Sequence, residues 1–129
     1  MSIAITAIYA ALLGIMLVVL SARVVGARRV KRVALGDGGH PVLLGRIRAQ
    51  GNFTEYVPLA LLMMGFAEML GAATWLVHGL GIALVTGRLL HALAVSPVEQ
   101  NLGLRVAGMG LTFTVLLVAA ATILTLRLA

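Results

Sequence analysis

The sequence predicts an all-α fold, an integral membrane bundle of four helices, and three observations carry that prediction. Hydrophobic residues make up 61% of the chain and charged ones only 11%, where a soluble domain carries about 25% charged residues. The apolar residues fall into four runs, each long enough for the ~20 helical residues that cross a hydrocarbon layer. Breaks rich in glycine, proline or polar residues divide the runs. Four crossings with short connections use up the length, so residues 1–129 read as a single transmembrane domain.

The first helix spans about 3–25 and has no charge before Arg23. It lacks the basic leader of a cleavable signal and is too long for a signal's apolar segment, so it reads as a retained crossing. Arg23, Arg28, Arg29, Lys31 and Arg32 follow, and then Gly36-Asp37-Gly38-Gly39-His40-Pro41, a glycine-rich break with proline at the start of the next helix. The second helix spans about 42–70 and must turn tightly through Gly71-Ala72-Ala73 into the third, about 74–95. Ser96-Pro97-Val98-Glu99-Gln100-Asn101 is a polar turn before the fourth, about 102–126.

The formal net charge of +6 is concentrated beside the end of helix one. By the positive-inside rule the connections 27–41 and 96–101 are expected to be cytoplasmic, with both termini and the second connection on the other side. The basic run reads as topology and contact with anionic membrane lipid. Nucleic acid is not expected as a partner, because no aromatics are interleaved with the basic residues. The absence of cysteine excludes a disulfide framework, a cysteine-ligated metal and a protein thiol nucleophile.

Helix two carries the functional signal. Arg48, Asn52 and Glu55, spaced four and three apart, share one helical face inside an apolar run. Glu55 lies roughly 18–20 Å along the helix, too deep to reach the interface readily, and ionisable groups at such depth face a protein interior or a wet cavity. A direct Arg48–Glu55 pair across two turns is expected to be strained, with Asn52 as the bridge. Pro58 frees the carbonyl of Thr54 beside Glu55 and favours a bend or a cavity there. The alternative is that these groups merely satisfy one another or glue helices together. Asn52-Phe53-Thr54 matches a glycosylation sequon, but at membrane depth the match is accidental.

In Gly87-Arg88-Leu89-Leu90-His91, Arg88 and His91 share a face near the end of helix three, and Arg105 opens helix four. Alternating topology brings these to the level of Arg48. Each arginine alone could be snorkelling to the interface, but together they form one basic pocket. Guanidinium groups suit carboxylates and phosphates, and a cation beside a bound thiol stabilises its thiolate. Gly79, Gly81 and Gly87 on helix three, and Gly103, Ala107, Gly108 and Gly110 on helix four, allow close helix approach within or between subunits. The methionines read as gap fillers and Trp75 as an interfacial anchor. Glu68 is expected to face solvent or lipid headgroups at the far end, and His78 to sit near that interface.

Leu35-Gly36-Asp37-Gly38-Gly39, the block from Arg46 to Leu59 with its R-x-x-x-N-x-x-E pattern, Gly87 to Ala92 and Arg105-Val106-Ala107-Gly108-Met109 resemble bacterial members of the MAPEG family, membrane-associated proteins in eicosanoid and glutathione metabolism. The resemblance runs from Leu35 onward, and helix one matches only in type. It implies a left-handed four-helix bundle in a homotrimer of the bacterial inner membrane, with glutathione held between subunits near the cytoplasmic side. It further implies that Arg48, Asn52, Glu55, Arg88 and His91 bind glutathione or a similar anion, and that Arg105 is the catalytic residue that activates the thiol. Gly51 stands where several eukaryotic members have another arginine, and Val95 where they have a tyrosine that contacts glutathione.

The function expected on this basis is transfer of glutathione or a similar anionic thiol to an apolar small molecule entering from the bilayer, or reduction of that molecule, as a transferase or peroxidase-like enzyme. Glutathione acts there as co-substrate and no metal is called for. The alternative is a non-catalytic protein of the same fold that holds a lipid headgroup or serves as a subunit of a larger membrane complex. A small proton-coupled exporter fits poorly, because helix one has no acidic residue.

Overall fold

A computed structural model describes residues 2–97 and 99–129. Its four helices are α1 (Ala4–Lys31), α2 (Pro41–Met69), α3 (Thr74–Val95) and α4 (Leu102–Leu128), with no strand among the described residues. Three of them, α1, α3 and α4, are long and apolar enough to cross a membrane. The second is as long as the others, at 29 residues, but its polar stripe dilutes its apolar character. The chain is a membrane protein with an all-α bundle.

α1 continues past Val25 through the basic run to Lys31. Arginine and lysine are good helix formers, and their charge favours the negative end of a helix, so the run extends the helix rather than breaking it. The stop comes at Arg32, in the left-handed region at φ 55, after which Gly36, Gly38 and Gly39 take positive φ. Asp37 Oδ1 accepts from Gly39 N at 2.8 Å and closes that turn. Pro41 then supplies the first residue of α2, where its missing N–H leaves no bond unmade. The start of α4 is capped by Asn101, whose Oδ1 accepts from Leu104 N at 3.0 Å.

α2 and α3 occupy the middle of the bundle, with α1 against one side of the pair and α4 against the other, and α1 and α4 do not touch. Tyr9, Leu13, Phe53, Val57, Met64, Leu84 and Val115 form the buried apolar core. Lipid tails are as apolar as these side chains, so the association rests on close packing rather than on expulsion from water. Glycines set the closest approaches. A Cβ at Gly108 would stand 2.6 Å from Gly87 O and 2.8 Å from His91 N, so α3 and α4 meet backbone to backbone. Gly45 of α2 lies against the Val95 carbonyl of α3, and Gly81 of α3 lies under the Tyr9 ring of α1. The small residues Gly103 and Ala107, by contrast, face outward and make no helix contact of this kind.

Two polar residues at the opposite end make contacts that spacing does not reveal. Glu68, partly exposed, accepts from the backbone N–H groups of Ile5 (2.9 Å) and Thr6 (2.8 Å) and so caps the start of α1. Ile3, at the capping position, has no side chain able to do this, and the carboxylate from α2 replaces it. His78 Nδ1 pairs with the Tyr9 hydroxyl at 2.9 Å, which ties α3 to α1 within the bundle.

Candidate functional site

Arg48 of α2 lies along its own helix and reaches Glu55, with Nη2 3.3 Å from Oε1. The bridging role expected of Asn52 is therefore not needed, and the long arginine side chain spans the two turns directly. Gly51 makes this possible. A Cβ there would stand 3.3 Å from Arg48 Nη1 and 4.0 Å from Glu55 Oε1, so glycine leaves a channel for the guanidinium. Both side chains are half exposed, at 54% and 50%, which puts an ion pair on the uncovered surface of a membrane helix. It is the one salt bridge among the described residues.

Asn52 turns instead toward α3, where its Oδ1 accepts from Arg88 Nη2. Arg88 is 1% exposed. Its Nη1 also donates to Thr112 Oγ1 at 3.2 Å and weakly to Met109 Sδ at 3.7 Å, both on α4. Thr112 Oγ1 in turn donates to Gly108 O at 2.9 Å. Arg88 thus links α2, α3 and α4 through neutral acceptors, with no carboxylate in ion-pair reach. Its Nε is buried without a partner, as is His91 Nδ1 one turn further on.

The convergence is a cavity of about 60 Å³ lined by Arg48, Asn52, His91, Val95, Gln100 and Arg105. Four of the residues expected at a site, Arg48, Asn52, His91 and Arg105, come together there. Arg88 and Glu55 are not on its wall. Arg88 holds Asn52 from behind, and Glu55 holds Arg48 from the side. Arg105, exposed at the beginning of α4, donates from Nη1 to Gln100 Oε1 at a loose 3.4 Å and so remains free to reorient toward a ligand.

Gln100 is the lining residue that the sequence did not single out. It lies in an irregular turn where no helical spacing assigns it to a face. Val95 stands on the wall as an apolar patch, with its carbonyl against Gly45. No carboxylate lines the cavity, and two guanidinium groups and an imidazole do. Such a donor set takes an anion, and the wall offers a carboxylate both charge and planar hydrogen-bond donors.

Comparison with known proteins identifies relatives of the chain. The chain is 48% identical over 87 residues to the "Inner membrane protein YecN" of Escherichia coli strain K12, a match covering 67% of this chain and 66% of the relative. The protein of the same name from Escherichia coli O6:H1 matches equally, at 48% over 87 residues. The chain therefore spans slightly under two thirds, 66%, of the length of these relatives in the match. The model of the MAPEG family matches residues 6–125, which takes in α2 and α3 whole, most of α1 and α4, and every lining residue of the cavity. The chain belongs to the MAPEG family.

Proposed function

We propose that this membrane protein binds glutathione, or a similar anionic thiol, at the Arg48–Asn52–His91–Arg105 cavity and joins its sulfur to an apolar electrophile from the bilayer. The observation that carries the reading is the convergence of cationic and hydrogen-bonding side chains from α2, α3 and α4 on one cavity without a lining carboxylate. In this reading Arg48 and Asn52 bind the ligand's carboxylate and peptide groups, His91 lines the ligand's path with its imidazole, and Arg105 stabilises the thiolate. Arg88 and Glu55 are positioning residues. The thiol loses its proton to solvent, the thiolate sulfur bonds to the electrophilic carbon, and the leaving group departs with its electron pair. With a hydroperoxide instead, two thiols become a disulfide while the peroxide becomes an alcohol and water.

A volume of about 60 Å³ holds water but not a tripeptide, since small-molecule sites occupy about 300–1,000 Å³. The half-exposed Arg48–Glu55 pair is also a poor surface to leave against lipid. Both facts favour a second copy of the chain completing the site, in the homotrimer that the family resemblance implies. The basic run at the end of α1 favours a cytoplasmic position for the cavity, with connections 27–41 and 96–101 on that side of the inner membrane.

Purified protein should be stabilised against heat by glutathione and should conjugate it to a generic aryl halide. Absence of both responses would sink the reading. Val95 favours a second one, a non-catalytic protein whose pocket holds a lipid headgroup or supports a larger complex, because it places a methyl surface where a hydroxyl would serve a thiol. A phospholipid retained at the cavity in native mass spectrometry, without glutathione binding, distinguishes it.

A further inference from the structure

We propose that the end of α1 carries a separate site for an anionic phospholipid, with the headgroup phosphate held by Arg29 and Arg32 over an apolar floor. An open groove of about 360 Å³ lies there, lined by Val25, Arg28, Arg29, Arg32, Val33 and Ala34. It shares no residue with the cavity at Arg48.

The arginines of the groove divide into two kinds. Arg28 is structural: its Nη1 donates to Gly36 O at 2.7 Å and to Val33 O at 3.4 Å, which folds the connection back to form one wall. Arg29 and Arg32 are exposed and pair with no carboxylate among the described residues. The acid nearest in sequence, Asp37, accepts the Gly39 N–H on Oδ1 and makes no ion pair with either arginine. The Arg28 carbonyl at the helix end is likewise taken, by the N–H groups of Arg32 and Val33. Two guanidinium groups thus line the groove with no carboxylate partner among the described residues.

Backbone conformation supplies an independent observation. Arg32 is the one non-glycine residue with positive φ among the described residues, at φ 55 and ψ 43. This left-handed stop is the position that glycine fills without strain, so arginine here keeps its charge on the groove against a backbone penalty. The floor of Val25, Val33 and Ala34 completes the chemistry. A phosphodiester suits the guanidinium groups, and the glycerol and upper acyl chain suit the apolar floor, for which free phosphate has no use. Val30 and Leu35, next in sequence to lining residues and 79% and 89% exposed, fit the boundary between headgroups and acyl chains.

The test is native mass spectrometry of the full-length protein, delipidated and then titrated in parallel with phosphatidylglycerol, phosphatidylcholine and inorganic phosphate. The comparison is with the double variant Arg29→Ala/Arg32→Gly. Arg32→Gly removes the guanidinium and relieves the left-handed backbone together, so this variant should unfold no earlier than wild type. Wild type should retain phosphatidylglycerol over phosphatidylcholine, and inorganic phosphate should not displace it. Each guanidinium removed should weaken retention about five-fold. Arg127→Ala, in the last turn of α4 at the opposite end of the bundle, should retain it as wild type does. The proposal is overturned if the double variant holds phosphatidylglycerol like wild type, if phosphatidylcholine is held equally, if phosphate displaces the lipid, or if Arg127→Ala loses as much.

Discussion

Arg88 of α3 donates to Asn52 of α2 from a fully buried position, so a residue off the cavity wall orients one that is on it. The bond also fixes the rotation of α2 against α3. Replacing Arg88 by Met keeps much of its volume and removes a desolvated charge that has no carboxylate partner. Relief from burying an unpaired charge offsets the loss of its hydrogen bonds to neutral acceptors. Arg88→Met should therefore melt within a few degrees of wild type while binding glutathione about ten-fold more weakly, because Asn52 is no longer held. Thermal melts with and without ligand separate the two effects.

The contact between Gly87 and Gly108 sets the spacing of α3 and α4. Gly108→Ala places a methyl group against Gly87 O and the His91 backbone, neither of which can yield as a side-chain tip could. The expected loss is about 1–3 kcal/mol. Gly110→Ala, where an added Cβ meets nothing within 4 Å, should be neutral or slightly stabilising. Denaturation in mixed detergent measures the pair, and equal behaviour of the two variants would contradict the packing described.

Gly51 admits Arg48 to Glu55. Gly51→Arg crowds that channel and competes for Glu55, which releases Arg48 toward the cavity and adds a second cation near it. Affinity for glutathione should rise about three- to ten-fold, the scale of one added charge-assisted hydrogen bond. Isothermal titration in detergent would reveal the change.

Glu68 caps the start of α1 from α2, and removing it leaves the N–H groups of Ile5 and Thr6 without their acceptor. Glu68→Ala should lose about 1–2 kcal/mol, with fraying confined to the first turn of α1. Hydrogen exchange at Ile5 and Thr6 would report it, while glutathione binding at the other end should not change.

The architecture was legible because four apolar runs and their breaks need little tertiary information. The end of α1 was less so, since a run of arginine and lysine extends a helix as readily as it marks an interface. Spacing placed Arg48, Asn52 and Glu55 on one face of α2, yet it could not say which neighbour each would meet. That depends on how α2 is rotated against α3, which glycines such as Gly45 decide through backbone contact. Asn52 consequently went to Arg88, and Arg48 found Glu55 unaided. The capping role of Glu68 and the place of Gln100 were not legible for a related reason: one acts across 62 residues of sequence and the other lies in a turn without periodicity.

The central claim is that the cavity at Arg48, Asn52, His91 and Arg105 receives an anionic thiol between copies of the chain. A density map of the purified protein in lipid with glutathione present tests it most directly. The account predicts ligand density against Arg48, Asn52 and Arg105, bounded by a neighbouring subunit, with the sulfur toward Arg105. A closed network of these side chains with no ligand between them would contradict it.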